Sequence, residues 1–101
     1  MHLIQILLPT YDNEGHKFSQ DIYGKIGNEL VARFSGLTAY TRSPAEGSWT
    51  RGNQTARDEI VVFEVMVQEL DEQWWSQYRI ELEGRLRQEH VVIRTNPIRL
   101  L

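Results

Sequence analysis

Ile60-Val61-Val62-Phe63-Glu64-Val65-Met66-Val67 is the most β-like stretch of the chain, eight residues with five β-branched side chains and no helix capping signal. A single Glu sits among its apolar residues. Side chains of a strand alternate between two faces, so Val61, Phe63, Val65 and Val67 share one face and Ile60, Val62, Glu64 and Met66 the other. The first set is wholly apolar and fits a face beneath helices. The second mixes apolar groups with a carboxylate and fits a face that something other than a helix covers.

On the N-terminal side, Leu37 to Arg42 carries Thr and Tyr and stops at Ser43-Pro44, which predicts a short second strand. Before it, Ser19 stands as an N-cap. Phe18 and Tyr23 have the spacing of a hydrophobic staple, and Asp21 lies in the first turn, where negative charge suits the helix dipole. The stripe Ile22, Tyr23, Ile26, Leu30 and Phe34 recurs every three or four residues, predicting a helix to about Phe34 with Gly36 as its left-handed C-terminal cap. Gly24 and Gly27 weaken that helix. His2 to Leu8 is an apolar run closed by Pro9, read as the first strand, with a turn-rich loop from Thr10 to Gly15.

On the C-terminal side, Asp71 caps a second helix expected to run to about Glu89, with Leu70, Trp74, Trp75, Tyr78, Leu82 and Leu86 on its inner side. Val91 to Thr95 is the last strand, ended by Asn96-Pro97. Residues 43–57 form a long polar stretch, expected to pair Ser48–Arg51 with Gln54–Arg57 in a small ribbon turning at Gly52-Asn53. The order is β-α-β-β-α-β. Two right-handed crossovers then place both helices on one face of a four-stranded antiparallel sheet, an α+β ferredoxin-like sandwich formed by a single domain over residues 1–101.

Composition narrows the function. The chain has 101 residues, no cysteine, and 11 Lys and Arg against 14 Asp and Glu for a net charge of -3. No apolar run reaches the roughly 18 residues of a membrane span, and no cluster of basic residues marks a nucleic-acid surface. Disulfides, thiolate metal sites and a cysteine nucleophile are excluded. The run Leu3 to Leu8 is too short for a secretory signal and lacks a basic flank, so we expect a cytoplasmic protein.

Sorting every predicted strand by parity gives an inner set of Ile4, Ile6, Leu8, Leu37, Ala39, Val61, Phe63, Val65, Val67, Val91 and Ile93. The outer set holds the chemistry. Glu64 is the candidate acid or base, Tyr40 a hydrogen-bond donor, and Gln5, Arg42 and Arg94 candidate ligand-binding groups, with Glu64 and Arg42 able to pair across strands. Trp49, in the polar stretch where no core requires an indole, is a candidate lid or anchor, and Tyr11 is expected near the same end of the sheet. Trp74 and Trp75 belong to the core by their helical spacing. His2, His16 and His90 share no ligand spacing, so no metal site is expected, nor is any cofactor. Gly24-Lys25-Ile26-Gly27 falls inside a helix, where a nucleic-acid G-x-x-G loop does not belong. Walker, dinucleotide and serine-elbow motifs are absent.

The pattern Phe34-Ser35-Gly36-Leu37-Thr38-Ala39-Tyr40, followed by Gly47-Ser48-Trp49 and the strand to Val67, resembles a family of similarly short, uncharacterised bacterial proteins expected to be ferredoxin-like. That resemblance implies the fold and no activity. At the level of topology the chain is also similar to dimeric α/β-barrel proteins, which implies sheets paired face to face around a small-molecule site. Acylphosphatases share the topology, but their glycine-rich, arginine-bearing loop after the first strand is replaced here by Pro9 to Gly15. Three functions follow as expectations: a homodimer binding a small ligand at its open sheet face, a cofactor-independent enzyme using Glu64, or a module that takes a different protein there.

Overall fold

The computed structural model describes residues 1–42 and 60–101. Along the chain run β1 (His2–Pro9), α1 (Gln20–Phe34), β2 (Thr38–Arg42), β3 (Ile60–Val67), α2 (Glu72–Arg85) and β4 (Val92–Pro97). The four strands form one antiparallel sheet in the order β2-β3-β1-β4, so the ferredoxin-like sandwich expected from the sequence is the fold. No helix among the described residues is long and apolar enough to cross a membrane.

Both helices lie on the face carrying Ile4, Ile6, Leu8, Phe63, Val65 and Val91, which are buried with Ile26, Leu30, Tyr78, Leu82 and Leu86 in one core. Helix α1 approaches β3 closely at Gly27, where an added Cβ would lie 3.3 Å from Leu37 and 3.7 Å from Phe63. The glycine that weakens the isolated helix therefore permits its docking. Gly24, one turn earlier, meets nothing. It opens a groove beside the β2 edge, lined also by Val31, Leu37, Ala39 and Val61. Ala39, assigned to the core by parity, is exposed for that reason, since α1 does not extend over β2.

The seam between the helices is aromatic. Phe34 of α1 stacks on Trp75 with ring centroids 5.1 Å apart, and the Arg33 guanidinium lies 4.3 Å from the Trp74 ring centre. Beside it, Glu29 Oε1 accepts hydrogen bonds from the Tyr78 hydroxyl at 3.0 Å and from Arg85 at 2.8 Å.

The helix ends depart from expectation in instructive ways. Ser19 is the N-cap of α1, and the staple forms, with Phe18 edge-on to Tyr23, but the Ser19 side chain makes no cap hydrogen bond. Ser35, not Gly36, takes the left-handed conformation at the other end, with φ 64°. Asp71 caps α2 as expected by accepting from the Trp74 amide at 3.1 Å. That helix stops at Arg85 instead of Glu89. Arg87 turns left-handed at φ 51°, and the Gln88 amide reaches back to the Glu83 carbonyl at 3.0 Å, a Schellman closure without glycine. The Glu83 carboxylate then accepts from the Val91 amide at 3.0 Å and Arg79 at 2.8 Å, tying the helix end to the residue before β4. The Val91 amide is the main reason its pKa is lowered, and Arg79 adds to it.

Candidate functional site

The sheet face away from the helices becomes legible once the strands are in register. Gln5 of β1 lies opposite Glu64 of β3 on one side and Arg94 of β4 on the other, and Glu64 lies opposite Thr38 of β2. Thr38, Glu64, Gln5 and Arg94 thus form one polar row across all four strands, about 14 Å long at the usual strand spacing. Leu7 is the centre of the next row, between Val62 and Val92, with Tyr40 opposite Val62. On the other flank Leu3 pairs with Met66 and with Asn96.

Three of the polar row's four members are joined by hydrogen bonds. Arg94 Nε donates to Gln5 Oε1 at 2.8 Å, and Gln5 Nε2 donates to Glu64 Oε2 at 2.7 Å. This sequence has only one consistent direction. A guanidinium can only donate, so it must face the amide oxygen. The amide nitrogen is left to face Glu64, which therefore acts as an acceptor. A cation and a carboxylate are held two strands apart by the amide between them.

Apolar groups flank the row with unequal cover. Met66 and Val92 are 53% and 50% exposed, whereas Val62, on this same face and outside the helix-side core, is 1% exposed. Leu3, Leu7 and Ile60 are half-buried. The corner around Val62 is closed within the single chain, and the β4 side is bare.

Of the residues singled out in the sequence, Gln5, Glu64 and Arg94 come together. Tyr40 stands in the adjoining row by backbone register. Arg42 pairs with Ile60, four residues along β3 from Glu64, or about 13 Å at the rise of a strand. Trp49 and the expected ribbon over 48–57 lie outside the described residues. Tyr11 stands beyond the end of β1, its backbone bridged to Lys17 and its carbonyl accepting from Gln88 Nε2 at 2.9 Å, which anchors it beside the end of α2.

Reasoning on the sequence passed over Thr38 as a row member and Gln5 as the bridge, because both depend on register, which parity alone does not fix. It also set His16 aside among the histidines and passed over Asp12 and Glu14, although the ligand-type atoms of the three all lie within 4.8 Å of one another. Asp12 Oδ1 accepts from the Glu14 and His16 amides at 2.9 Å each, so this carboxylate already shapes its own loop. Those amide hydrogen bonds, that of His16 foremost, lower the Asp12 pKa.

No family model, curated protein or solved structure matches the chain.

Proposed function

We propose that the protein is a homodimeric binding module whose open sheet face is covered by a second copy, enclosing the row Glu64–Gln5–Arg94 as the site for a small polar ligand. The observation that carries this reading is the ordered polar row on a sheet face that neither α1 nor α2 covers, bordered by the exposed apolar side chains Met66 and Val92. The row offers a cation at one end and a carboxylate at the other. It suits a net-neutral or zwitterionic molecule better than a polyanion.

Light scattering on a sizing column tests the reading, with Val92→Asp as the variant. Val62→Asp is a poor probe, because Val62 is already buried in the single chain and an unpaired charge there would unfold it. Val92 is half exposed, so Val92→Asp should stay folded and become a monomer. A wild-type monomer, or a Val92→Asp dimer, would overturn the proposal. With the dimer in hand, thermal shift against zwitterionic metabolites should give a stabilisation that Arg94→Gln abolishes.

A further inference from the structure

The row has a symmetry that a dimer would use. Gln5 lies on β1, and β3 and β4 are the two strands flanking β1, so Glu64 and Arg94 stand at equal distance on either side of Gln5 in a single register line. Two copies packed face to face are related by a two-fold axis lying between the sheets. If that axis ran along the row, each residue of the row would face its own counterpart, setting Glu64 against Glu64 and Arg94 against Arg94. If it ran along β1 through Gln5, Glu64 of one copy would face Arg94 of the other, twice. Only the second arrangement is electrostatically self-complementary.

The apolar row is compatible with that axis. Leu7 lies on β1, with Val62 on the β3 side and Val92 on the β4 side. Val62 is covered within its own chain at 1% exposure, while Val92 is bare at 50%. An axis along β1 sets the covered side of one copy against the bare side of the other, and Leu7 against Leu7. An axis along the row would instead carry the Leu7 row onto the Leu3 row, setting Val62 against Met66 and Val92 against Asn96. Cover is thus matched under either axis, and the charges of the polar row select the dyad along β1.

We infer that the covering copy docks with its two-fold axis along β1, so that Glu64 of each protomer faces Arg94 of its partner, with the two Gln5 side chains between these pairs as the centre of the enclosed ligand site. This inference rests on the proposed dimer and goes beyond it by fixing the symmetry. Sheets packed face to face lie about 10 Å apart, a gap that an Arg and a Glu reaching from opposite sides can bridge. The pairs chiefly set orientation and register, and the apolar rows supply the contact area.

Complementary charge reversal tests it. Glu64→Arg gives a chain with Arg at both positions, and Arg94→Glu a chain with Glu at both. Each alone should lose the dimer by at least tenfold in dissociation constant. Mixed in equal amounts they should form a heterodimer, because every cross-dyad pair is then Arg with Glu, and mass spectrometry of the native mixture distinguishes it from either homodimer. Circular dichroism checks that each variant is folded. As a probe that leaves the row intact, Leu7→Cys in this cysteine-free chain should be linked to its copy by a short bismaleimide, whereas Val92→Cys should link poorly. A wild-type monomer overturns the dimer and this symmetry together. A wild-type dimer that Val92→Asp breaks, but whose two charge variants stay dimeric or fail to pair with each other, leaves the open face as the interface and overturns the dyad along β1. Efficient linkage at Val92→Cys with none at Leu7→Cys overturns it independently.

Discussion

On the helix side of β1, Ile4, Ile6 and Leu8 are at most 1% exposed; on the other side of the same strand, Leu3, Gln5 and Leu7 are only half-buried. Neither side is polar in composition. The difference comes from what lies above them, two amphipathic helices on one side and, over Arg94, Val92 and Met66, solvent. Exposed apolar groups beside an ordered polar row are what the proposed second copy would cover. The polar groups divide in the same way. On the closed side Glu29, Tyr78 and Arg85 form a network that joins two helices, and on the open side Glu64, Gln5 and Arg94 form one that lies flat on the sheet.

The strongest way to break this contrast is truncation on each side. Leu82 is fully buried in the core, and Leu82→Ala should lower unfolding free energy in urea by about 2–5 kcal/mol, the usual range for a core Leu→Ala change. Met66→Ala on the open face should change the stability of the folded chain by no more than about 0.5 kcal/mol, as surface changes do. A Met66→Ala loss near that of Leu82→Ala would mean that the open face is a second core within the single chain.

Two glycines in one helix sharpen the account of the closed face. Gly24→Ala places its methyl in open space and should raise stability by about 1 kcal/mol from helix propensity alone. Gly27→Ala gains the same propensity but presses on Leu37 at 3.3 Å, with Phe63 behind it, so it should be less stable than Gly24→Ala by about 1 kcal/mol. Equal gains at both positions would show that α1 sits on the sheet with room to spare. A comparison of caps is smaller again. Asp71→Ala removes a hydrogen bond to the Trp74 amide and should cost about 1 kcal/mol, while Ser19→Ala, which removes none, should cost a few tenths.

These contrasts also show what was legible in the sequence. The element order and the sorting of Ile4, Ile6, Leu8, Phe63 and Val65 to the covered face follow from period-two alternation and helical stripes, which are local signals. Ala39 failed because its cover depends on how far α1 reaches sideways. Helix α2 was read four residues too long because Arg87 adopts a left-handed turn that sequence reading expects of glycine or asparagine. The polar row was half legible. Parity put Gln5, Glu64 and Arg94 on one face but could not say that they share a line, nor that Arg42 stands opposite Ile60. Such facts are set by strand register, a product of the whole packed sheet.

The network on the closed side has one further property that titration can read. Tyr78 is raised well above the ordinary tyrosine range, first because burial disfavours the phenolate and then because the Glu29 carboxylate accepts its proton and repels the anion. Glu29 is itself held below the ordinary carboxylate range: burial pushes it up, but the hydrogen bonds from Arg85 and Tyr78 outweigh that. The signs are opposite. The contribution of Glu29 to stability is present above the unfolded carboxylate pKa of about 4.3 and fades as pH falls through its lower folded value. That of Tyr78 is present below the unfolded tyrosine pKa of about 10 and fades as pH rises through its higher folded value. Followed by phenolate absorbance, a late ionisation step should therefore appear and should vanish in Tyr78→Phe. In Glu29→Gln it should move down without reaching the ordinary value, because burial of the ring between the helices persists. If the step falls the whole way, the carboxylate and not burial dominates, and the seam between the helices is wetter than its aromatic packing requires.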